Sequence, residues 1–468
     1  MTACGSSDTG DTRDSGNAGN GSDGTPPGGA SNPGAPDGGT PASNGSQVTV
    51  TVDGTGRITS IPPGIDCGNG GTACTARFGA SAVKLVSDED STVRWSGACS
   101  GTGDCVIGAG GDHSVTAKTF APRRITFDGP DHGPDACYAI AAGPSGSIVV
   151  AGQVRRISDG DNAWARAYDN HAGILWTYEL STPSEGHDLA EGVVALPAGG
   201  AAVAGTWFSG SNTRFNSFAL DIAASGMLAW SRLEEIIGDD RGHAIARDST
   251  GRLFLAGERP DTTGQTQAWV HALSADGSSE LWSITRDGTA TGVDAALGVA
   301  VDSTGDVVAG GAETNAGTGL DGWLAKYSPL GVQQWAISLS SPGDGADSIR
   351  GVAIAPDDTI VVVGTYAGAS TIRAYTATGT PLWDVTSADN PAWNGVAVDS
   401  SGDVVVVGSS GGNLVVRKHA STGDLVWQRK VPHATGNAVT VDDSDNILAC
   451  GTLTTAGNTD GLIVVFHQ

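Results

Sequence analysis

The feature that most constrains the fold of this chain is a unit of roughly 50 residues that recurs from about residue 122 to the C-terminus. Each unit begins with a hairpin pattern such as GVAVDSTGDVVAGG from Gly298, continues with an apolar segment such as GWLAKY from Gly322, and ends at a turn followed by Trp. Six Trp residues recur at spacings of 44 to 54 residues: Trp176, Trp230, Trp282, Trp335, Trp383 and Trp427. Such a period without helical patterning predicts one small β-sheet per unit, which is the blade of a β-propeller.

Seven copies of the first hairpin occur, and they predict a seven-bladed propeller over residues 122–468. The copies begin at Ala139, Gly192, Ala244, Gly298, Gly351, Gly395 and Ala438. The seventh unit ends after its third strand, but the segment RITFDG at residues 124–129 precedes the first hairpin, and its Phe127 lies 49 residues before Trp176. We therefore expect residues 124–129 to supply the outer strand of the seventh blade, because this pairing removes an open sheet edge.

The hairpins near Gly298 and Gly395 resemble those of the bacterial seven-bladed β-propeller repeat family, and less closely those of NHL and PQQ-type propellers. The resemblance implies an all-β fold but no particular function, because one fold serves many functions. The repeated Trp residues could stack on a cofactor or a sugar. However, one large apolar side chain per blade at a fixed position is what packing between blades requires, so we expect a packing role.

Residues 47–120 alternate apolar and polar side chains, for example in VTVTV from Val48 and SVTAKTF from Ser114, which predicts a small β module. The segment closely resembles the divergent internalin B-repeat, a bacterial repeat module, most specifically at WSGAC from Trp95. This chain departs from the family in the segment Asp88 to Val93, where the family often has an aromatic residue before Trp95 and this chain has Val93-Arg94. The resemblance implies a cell-surface spacer or adhesion-type module rather than an enzyme.

Four of the seven cysteines lie in this module at spacings that predict local disulfides. Cys67 and Cys74 flank a loop of six residues, and Cys99 and Cys105 flank a loop of five. Paired zinc ligands are usually separated by two to four residues, so a four-cysteine zinc site fits these gaps poorly. We predict disulfides within each pair, and such bonds would compensate for a small hydrophobic core.

The chain begins MTAC, and a stretch composed almost entirely of small and polar residues continues to about residue 46. MTAC resembles the end of a bacterial lipoprotein signal peptide, which implies a lipid on Cys4. Residues 1–46 are predicted to form a disordered tether, since they cannot bury enough apolar surface to fold. If Cys4 carries a lipid, six cysteines are left, an even number that suits disulfides in an oxidising compartment.

The formal net charge is −26, from 51 acidic and 25 basic residues. Nucleic-acid binding is therefore not expected, because its affinity comes largely from neutralising phosphates with basic side chains. The sequence has no run of the roughly 18 apolar residues that a membrane-spanning helix needs, so membrane attachment is expected through the lipid only. We predict an exported monomer on the outer membrane or cell surface.

No catalytic constellation is recognisable, and no cofactor or metal site is expected. Four histidines precede the first strands of their blades and are expected on one face of the disc: His132, His187, His243 and His433. The Asp-rich segments 159–162 and 344–347 could offer Ca²⁺ ligands, although the same residue types make turns. A disulfide between Cys137 and Cys450, in neighbouring blades of a closed ring, stays open because sequence does not give the Cα separation.

These patterns predict a non-enzymatic surface lipoprotein whose propeller binds a protein or glycan. One alternative is an exported propeller enzyme of lyase, hydrolase or quinoprotein type. Another is an assembly factor resembling the PQQ-type propeller lipoprotein of outer-membrane biogenesis, suggested by TGDLVW from Thr422. An enzyme requires titratable residues that converge on the central channel, and the first strands are dominated by Val, Ala and Gly, so we expect no such residues there.

Overall fold

The computed structural model describes residues 45–88, 91–158, 160–180, 186–209, 214–234, 238–342, 345–455 and 457–467. Cys4, the predicted lipidation site, and nearly all of the predicted tether lie outside these residues. Within the described ranges the secondary structure is β-strand, with one 3-10 turn at Pro144–Gly146 and no α-helix. Accordingly, none of these residues belongs to a helix long and apolar enough to cross a membrane. The predicted all-β class is confirmed.

The small module is built from two sheets. Its strands are β1 (Ser46–Asp53), β2 (Arg57–Ile61), β3 (Asp66–Gly68), β4 (Gly71–Ala73), β5 (Thr75–Phe78), β6 (Val83–Ser87), β7 (Thr92–Gly97), β8 (Cys105–Ile107) and β9 (His113–Phe120). One sheet has the order β5-β1-β9-β7, and the other has the order β4-β3-β2-β6-β8. The alternating apolar residues of these strands are buried in a common core.

Two disulfides close short loops of the module. The Cα atoms of Cys67 and Cys74 are 4.6 Å apart, and those of Cys99 and Cys105 are 5.5 Å apart. Cys67 and Cys105 are buried in the module core beside Trp95, whose Nε1 donates to the carbonyl of Gly103 over 2.7 Å. The sulfur atoms therefore add apolar volume to a small core as well as crosslinking it.

The rest of the described chain forms seven sheets, each with four antiparallel strands, and the sheet of blade 1 has a fifth, parallel strand. After β10 (Arg123–Phe127), blade 1 has β11 (Ala136–Ala142), β12 (Ile148–Arg156), β13 (Gly160–Tyr168) and β14 (Ile174–Leu180), with β15 (Gly186–His187) added beside β13; blade 2 has β16 (Leu189–Ala195), β17 (Ala201–Ser209), β18 (Arg214–Ile222) and β19 (Leu228–Leu233); blade 3 has β20 (Arg241–Arg247), β21 (Leu253–Pro260), β22 (Thr266–Leu273) and β23 (Glu280–Arg286). Blade 4 has β24 (Ala295–Val301), β25 (Val307–Asn315), β26 (Gly319–Tyr327) and β27 (Gln333–Leu339); blade 5 has β28 (Ser348–Ile354), β29 (Ile360–Tyr366), β30 (Ala369–Tyr375) and β31 (Pro381–Thr386); blade 6 has β32 (Ala392–Val398), β33 (Val404–Ser410), β34 (Asn413–His419) and β35 (Leu425–Pro432); blade 7 has β36 (Ala434–Val441), β37 (Ile447–Thr455) and β38 (Asn458–Phe466).

The innermost strand of each blade is the first in sequence and contacts the innermost strands of both neighbouring blades, so the ring is closed. Strand β10 pairs antiparallel with β38 and supplies the fourth strand of blade 7. This strand ends at Phe127, two residues before the predicted end. A disulfide between Cys137 of β11 and Cys450 of β37 joins blades 1 and 7, with Cα atoms 5.7 Å apart. The pairing that the sequence left open is present.

The repeated Trp residues lie on the fourth strands and pack against the next blade, as predicted. Trp176 covers Gly226, where a Cβ atom would lie only 2.7 Å from the Trp176 Cβ. Gly226 has a φ of 81°, so the tight turn that accommodates the indole also requires glycine. The indole Nε1 donates to the carbonyl of Gly199 in the next blade over 3.1 Å. The Trp side chains therefore hold neighbouring blades together and are not available as a stacking platform.

Candidate functional site

The innermost strands of the blades line a central channel, and each has a β-bulge at the equivalent position. A bulge leaves one residue outside the regular pairing and re-aims its side chain. In every blade that residue lines the channel. These seven residues, which we call the collar, are Tyr138, Glu191, His243, Leu297, Arg350, Asn394 and Asn437.

The residue after each collar position is Gly or Ala, because the innermost strands of adjacent blades approach closely. A Cβ atom added at Gly192 would lie 2.9 Å from the backbone nitrogen of Ile245 in the next blade. One added at Gly395 would lie 3.0 Å from the Cα of Ala438. The close contact between blades therefore restricts the position after the collar to Gly or Ala, whereas it does not restrict the type of residue at the collar position. The cavity inside the channel has a volume of about 410 Å³.

Glu191 and His243 meet on one side of the channel. His243 Nδ1 lies 3.4 Å from Glu191 Oε2, and Thr206 Oγ1 donates to the same oxygen over 3.4 Å. Burial lowers the pKa of His243, but its hydrogen bond to Glu191 and the negative charges of Glu191 and Glu258 outweigh burial and raise the pKa above its ordinary value. The two groups therefore form a carboxylate–imidazole pair in which the imidazole holds its proton more tightly than usual.

Tyr138 lies on blade 1, next to Glu191 on blade 2. Its hydroxyl donates to Gln153 Oε1 over 2.9 Å. Burial raises the pKa of Tyr138, and the charges of Glu191 and Asp161 raise it further. The phenol therefore stays protonated near neutral pH.

Arg350 lies across the channel from Glu191, since their blades are three positions apart, the largest separation in a ring of seven. Its side chain is exposed. Within the described part of the chain, no hydrogen bond or ion pair reaches its guanidinium, and no other Lys or Arg lines the channel. Arg350 is thus a free cation in the wall of the cavity.

Asn394 and Asn437 continue the collar beyond Arg350. Asn394 Nδ2 donates to the carbonyl of Gly436 over 2.7 Å, and Asn437 Nδ2 donates to the carbonyl of Cys137 over 2.8 Å. Each bond crosses to the next blade, so the two side chains are held in place and also support ring closure.

The expectation that the first strands bring no titratable residues to the channel is wrong, because Glu191, His243 and Arg350 all line it. The bulge inserts one residue into the regular alternation, so strand periodicity assigns these side chains to the wrong face. The signal that identifies them is their place directly before the Gly or Ala that begins each hairpin.

The four histidines have different environments. The prediction for His243 is wrong, because this residue lies inside β20 and not in the connection before it. His187 contacts Asp161, and His132 Nδ1 lies 2.5 Å from Asp128 Oδ2. His433 lies between β35 and β36. Among the residues that the structure describes, no three or more His, Cys, Asp or Glu side chains are grouped so as to hold a metal ion.

The Asp-rich segments considered for Ca²⁺ are only partly described, since Asp159 and Asp344 lie outside the described ranges. Asp161 belongs to strand β13 and is buried. Asp347 is fully buried and accepts hydrogen bonds from the backbone nitrogens of Ser341 over 2.6 Å and Ala367 over 2.8 Å. Asp347 therefore fixes the loop that leads into β28.

Asp347 belongs to a series of buried aspartates that lie three residues before the collar in blades 1 to 5: Asp135, Asp188, Asp240, Asp294 and Asp347. These aspartates fix the segments that lead into the innermost strands by accepting hydrogen bonds. Asp240 Oδ2, for instance, accepts a hydrogen bond from Ser217 Oγ over 2.6 Å. Burial raises the pKa of Asp240 to about 6 and that of Asp294 to about 6. In blades 3 and 4, the strands that carry the collar residues are thus held by carboxyl groups whose pKa lies well above the usual range.

We expect the Asp240→Asn variant to gain stability relative to the wild type as the pH rises from 4 to 7. The carboxyl titrates at about 6 in the folded protein but near ~3.9 in the unfolded chain. The folded state binds this proton more tightly, so the contribution of Asp240 to stability is fully present at low pH and is lost as the pH rises through about 6. The relative gain is on the order of 1–3 kcal/mol, measured by urea unfolding at each pH.

Asp276→Asn is the matched control. Hydrogen bonds from Ser274 and Ser278 lower the pKa of the exposed Asp276 to about 2, so this carboxyl stays ionised between pH 4 and 7 in the folded protein. In the unfolded chain it titrates near ~3.9, so its replacement should shift stability equally from about pH 5 upwards, where the profile of Asp240→Asn still changes. A pH profile of Asp240→Asn that runs parallel to the wild type would contradict the burial argument.

The chain matches no protein-family model and no curated protein. Solved structures with a similar course of the chain include the Pan2 WD40 domain of Neurospora crassa, at 12% identity over 73% of this chain and 93% of that one, with a TM-score of 0.47. A puromycin hydrolase matches at 17% identity over 69% of this chain and 50% of its own, with a TM-score of 0.46. Virginiamycin B lyase from Staphylococcus aureus matches at 12% identity over 73% and 98%, with a TM-score of 0.42. Similarities this low carry no information about function, and the propeller architecture follows from the strand pairing itself.

Proposed function

We propose that the protein is an exported surface lipoprotein whose propeller binds a protein or glycan ligand at the collar without catalysing a reaction. The collar is the observation that supports this proposal. Packing constrains the residues that follow each collar position, yet the seven collar side chains comprise an acid, a base, an imidazole, a phenol, two amides and an aliphatic group. Such variety on a repeated frame is what selection for a particular ligand produces, and it serves packing poorly.

Export accords with the disulfides, because the three in the described residues indicate an oxidising compartment. In this proposal a lipid on Cys4 anchors the chain to the outer membrane or cell surface. The tether and the small module, which resembles a divergent internalin B-repeat, hold the propeller away from the membrane. The net charge of −26 favours solubility of the monomer on that surface.

Ligand binding at the collar is tested by applying the full chain to arrayed glycans and peptides, beside an Asn437→Trp variant. The indole would obstruct the channel from a position that already faces it. We expect a ligand that is retained by the wild type and lost by Asn437→Trp. Replacing Arg124, which is exposed on the outer strand β10, with Ala should leave binding unchanged. A ligand that binds Asn437→Trp as well as the wild type, or the absence of any ligand, would contradict the proposal.

The anchor is tested by replacing Cys4 with Ala in a chain secreted behind a lipoprotein signal peptide. Partitioning in a phase-separating detergent is the measurement. We expect the wild type in the detergent phase and the variant in the aqueous phase, because the lipid is the proposed attachment. Ser6→Ala, which keeps Cys4, should remain with the wild type in the detergent phase. Membrane association that survives the loss of Cys4 would refute lipidation at this residue.

An exported enzyme of lyase or hydrolase type is the second candidate, and the contact between His243 and Glu191 favours it. A carboxylate that orients an imidazole inside a cavity is a suitable arrangement for a general base. If the protein is an enzyme, the wild type should convert the bound ligand and Glu191→Gln should abolish this turnover. If it is a binding protein, the ligand stays chemically unaltered with both proteins, and the substitution changes only the affinity.

A further inference from the structure

The collar contains hydrogen-bonding groups that the protein itself does not use. On one side, Glu191 Oε2 receives the contacts from His243 and Thr206, whereas Oε1 has no donor among the described residues. Across the channel, the guanidinium of Arg350 offers up to five N–H donors, none of which is engaged within the described chain. An acceptor and a set of donors are thus available on opposite sides of one cavity.

Two further acceptors lie on the two blades that follow Arg350 in the ring. The amide nitrogens of Asn394 and Asn437 face the carbonyl groups of Gly436 and Cys137. A carbonyl group can only accept a hydrogen bond, so this contact fixes the orientation of each amide. The two Oδ1 atoms are then left without a described donor, in side chains that line the channel. They can accept N–H groups from a ligand.

The charges of the collar select a ligand that carries both signs. An anion would be attracted to Arg350 but would have to approach a molecule with a formal charge of −26. A cation would be attracted to Glu191 but would leave the positive charge of Arg350 across the cavity unpaired. A molecule with a positive and a negative group satisfies both sides of the channel and adds no net charge.

Resting on the proposed function, we propose that the collar binds a small zwitterion, with its carboxylate on Arg350 and its protonated amine on Glu191. Arginine suits the first role because its planar fork can hold both oxygens of a carboxylate. The second group is the donor that Glu191 Oε1 lacks. Free amino acids and short peptides share this chemistry, and a cavity of about 410 Å³ has room for molecules of that size.

The test uses the full chain and isothermal titration calorimetry with two sets of probes, the twenty free amino acids and tripeptides of the form Gly-X-Gly. The tightest probe is then compared with its C-terminal amide, which lacks the carboxylate, and its N-acetyl derivative, which lacks the charged amine. We expect each blocked form to bind about 10- to 100-fold more weakly, because each loses one charge-assisted hydrogen-bonding group. Which set contains the tightest probe distinguishes a free amino acid from a peptide.

Two variants assign the ends of the ligand. The Arg350→Gln variant should bind the tightest probe about 10- to 100-fold more weakly than the wild type does. It should also bind the free carboxylate and the amide of that probe with about equal affinity. Glu191→Gln should instead lose the discrimination between the free amine and the N-acetyl form. Arg124→Ala removes a positive charge far from the channel. It should change neither the discrimination between carboxylate and amide nor that between free amine and N-acetyl form. Circular dichroism melts of both collar variants show whether the fold is retained, which is expected because Arg350 is exposed and Glu191 is half-buried.

Equal binding of the free and blocked forms, or unchanged discrimination in both collar variants, would overturn the zwitterion assignment. The same holds if no probe of either set binds. If a glycan or folded protein nevertheless binds the wild type and is lost with Asn437→Trp, the binding function stands and only the ligand class is wrong. If no ligand of any class depends on the collar, both proposals fail.

Discussion

A chain that begins at residue 131 is expected to lose the cooperative unfolding transition of the propeller, whereas a chain that begins at residue 122 keeps it. The longer deletion removes β10, the outer strand of blade 7, and leaves β38 as an unpaired sheet edge. The shorter deletion removes the small module and the residues before it but no strand of the ring. Burial of Phe127 alone contributes about 2–3 kcal/mol, a large share of the ~5–15 kcal/mol net stability of a typical domain.

The position of Phe127 explains why this one short strand matters. Its ring lies over Gly461 of β38 so closely that a Cβ atom there would be 1.7 Å from the Phe127 Cζ. Its centroid is also 4.2 Å from that of Trp164 in blade 1, in an edge-on arrangement. The strand therefore pairs with blade 7 and covers part of blade 1, and its loss uncovers apolar surface on both.

Calorimetric melts of the two truncated chains measure this effect. Phe127→Ala in the chain that begins at residue 122 keeps the strand but removes the aromatic ring, and it should lower the free energy of unfolding by about 3–5 kcal/mol. This variant is expected to keep a cooperative transition, with a midpoint below that of the unsubstituted chain that begins at residue 122. Equal midpoints for the chains that begin at residues 122 and 131 would show that β10 contributes nothing to ring stability.

The architecture of the propeller could be predicted because each blade repeats the same physical requirements. A hairpin, a tight turn and one large packing residue recur in six of the blades, and the Trp residues mark the fourth strands. The seventh blade lacked a fourth strand, and the need to cover a sheet edge pointed to the N-terminal segment. Local disulfides were also accessible, since loops as short as those after Cys67 and Cys99 leave few other partners.

The collar could not be predicted by the same reasoning, because its residues share a position and not a chemical type. Glu191, Leu297 and Asn394 have no common property that a repeat search would register. A bulge also breaks the alternation of period two, so side-chain direction could be assigned only after the strand pairing was known. His243 was expected in a connection because the recognisable hairpin pattern begins at Ala244, whereas the strand already begins at Arg241 and His243 lies in the channel wall.

The disulfide between Cys137 and Cys450 depends likewise on geometry that sequence does not contain, and its removal is the second large effect expected. The Cys137→Ala, Cys450→Ala double variant should lose about 4–5 kcal/mol of propeller stability, because the entropy of the unfolded chain rises with the length of the loop released. That loop spans 313 residues, against 7 for the pair Cys67–Cys74. Alanine is used because both sulfur positions are fully buried, and a buried serine hydroxyl would add a desolvation cost of its own.

The Cys67→Ala, Cys74→Ala double variant is the matched control, since it also removes one disulfide but releases only a short loop within the small module. Its loss should be about 2–3 kcal/mol and confined to the module. Urea unfolding of both variants is followed by the fluorescence of the propeller Trp residues, most of which lie between blades. If the propeller midpoint moves no further in the ring variant than in the module variant, the crosslink does not stabilise the ring. Closure would then depend on the pairing of β10 with β38 and on the packing of the innermost strands of blades 1 and 7.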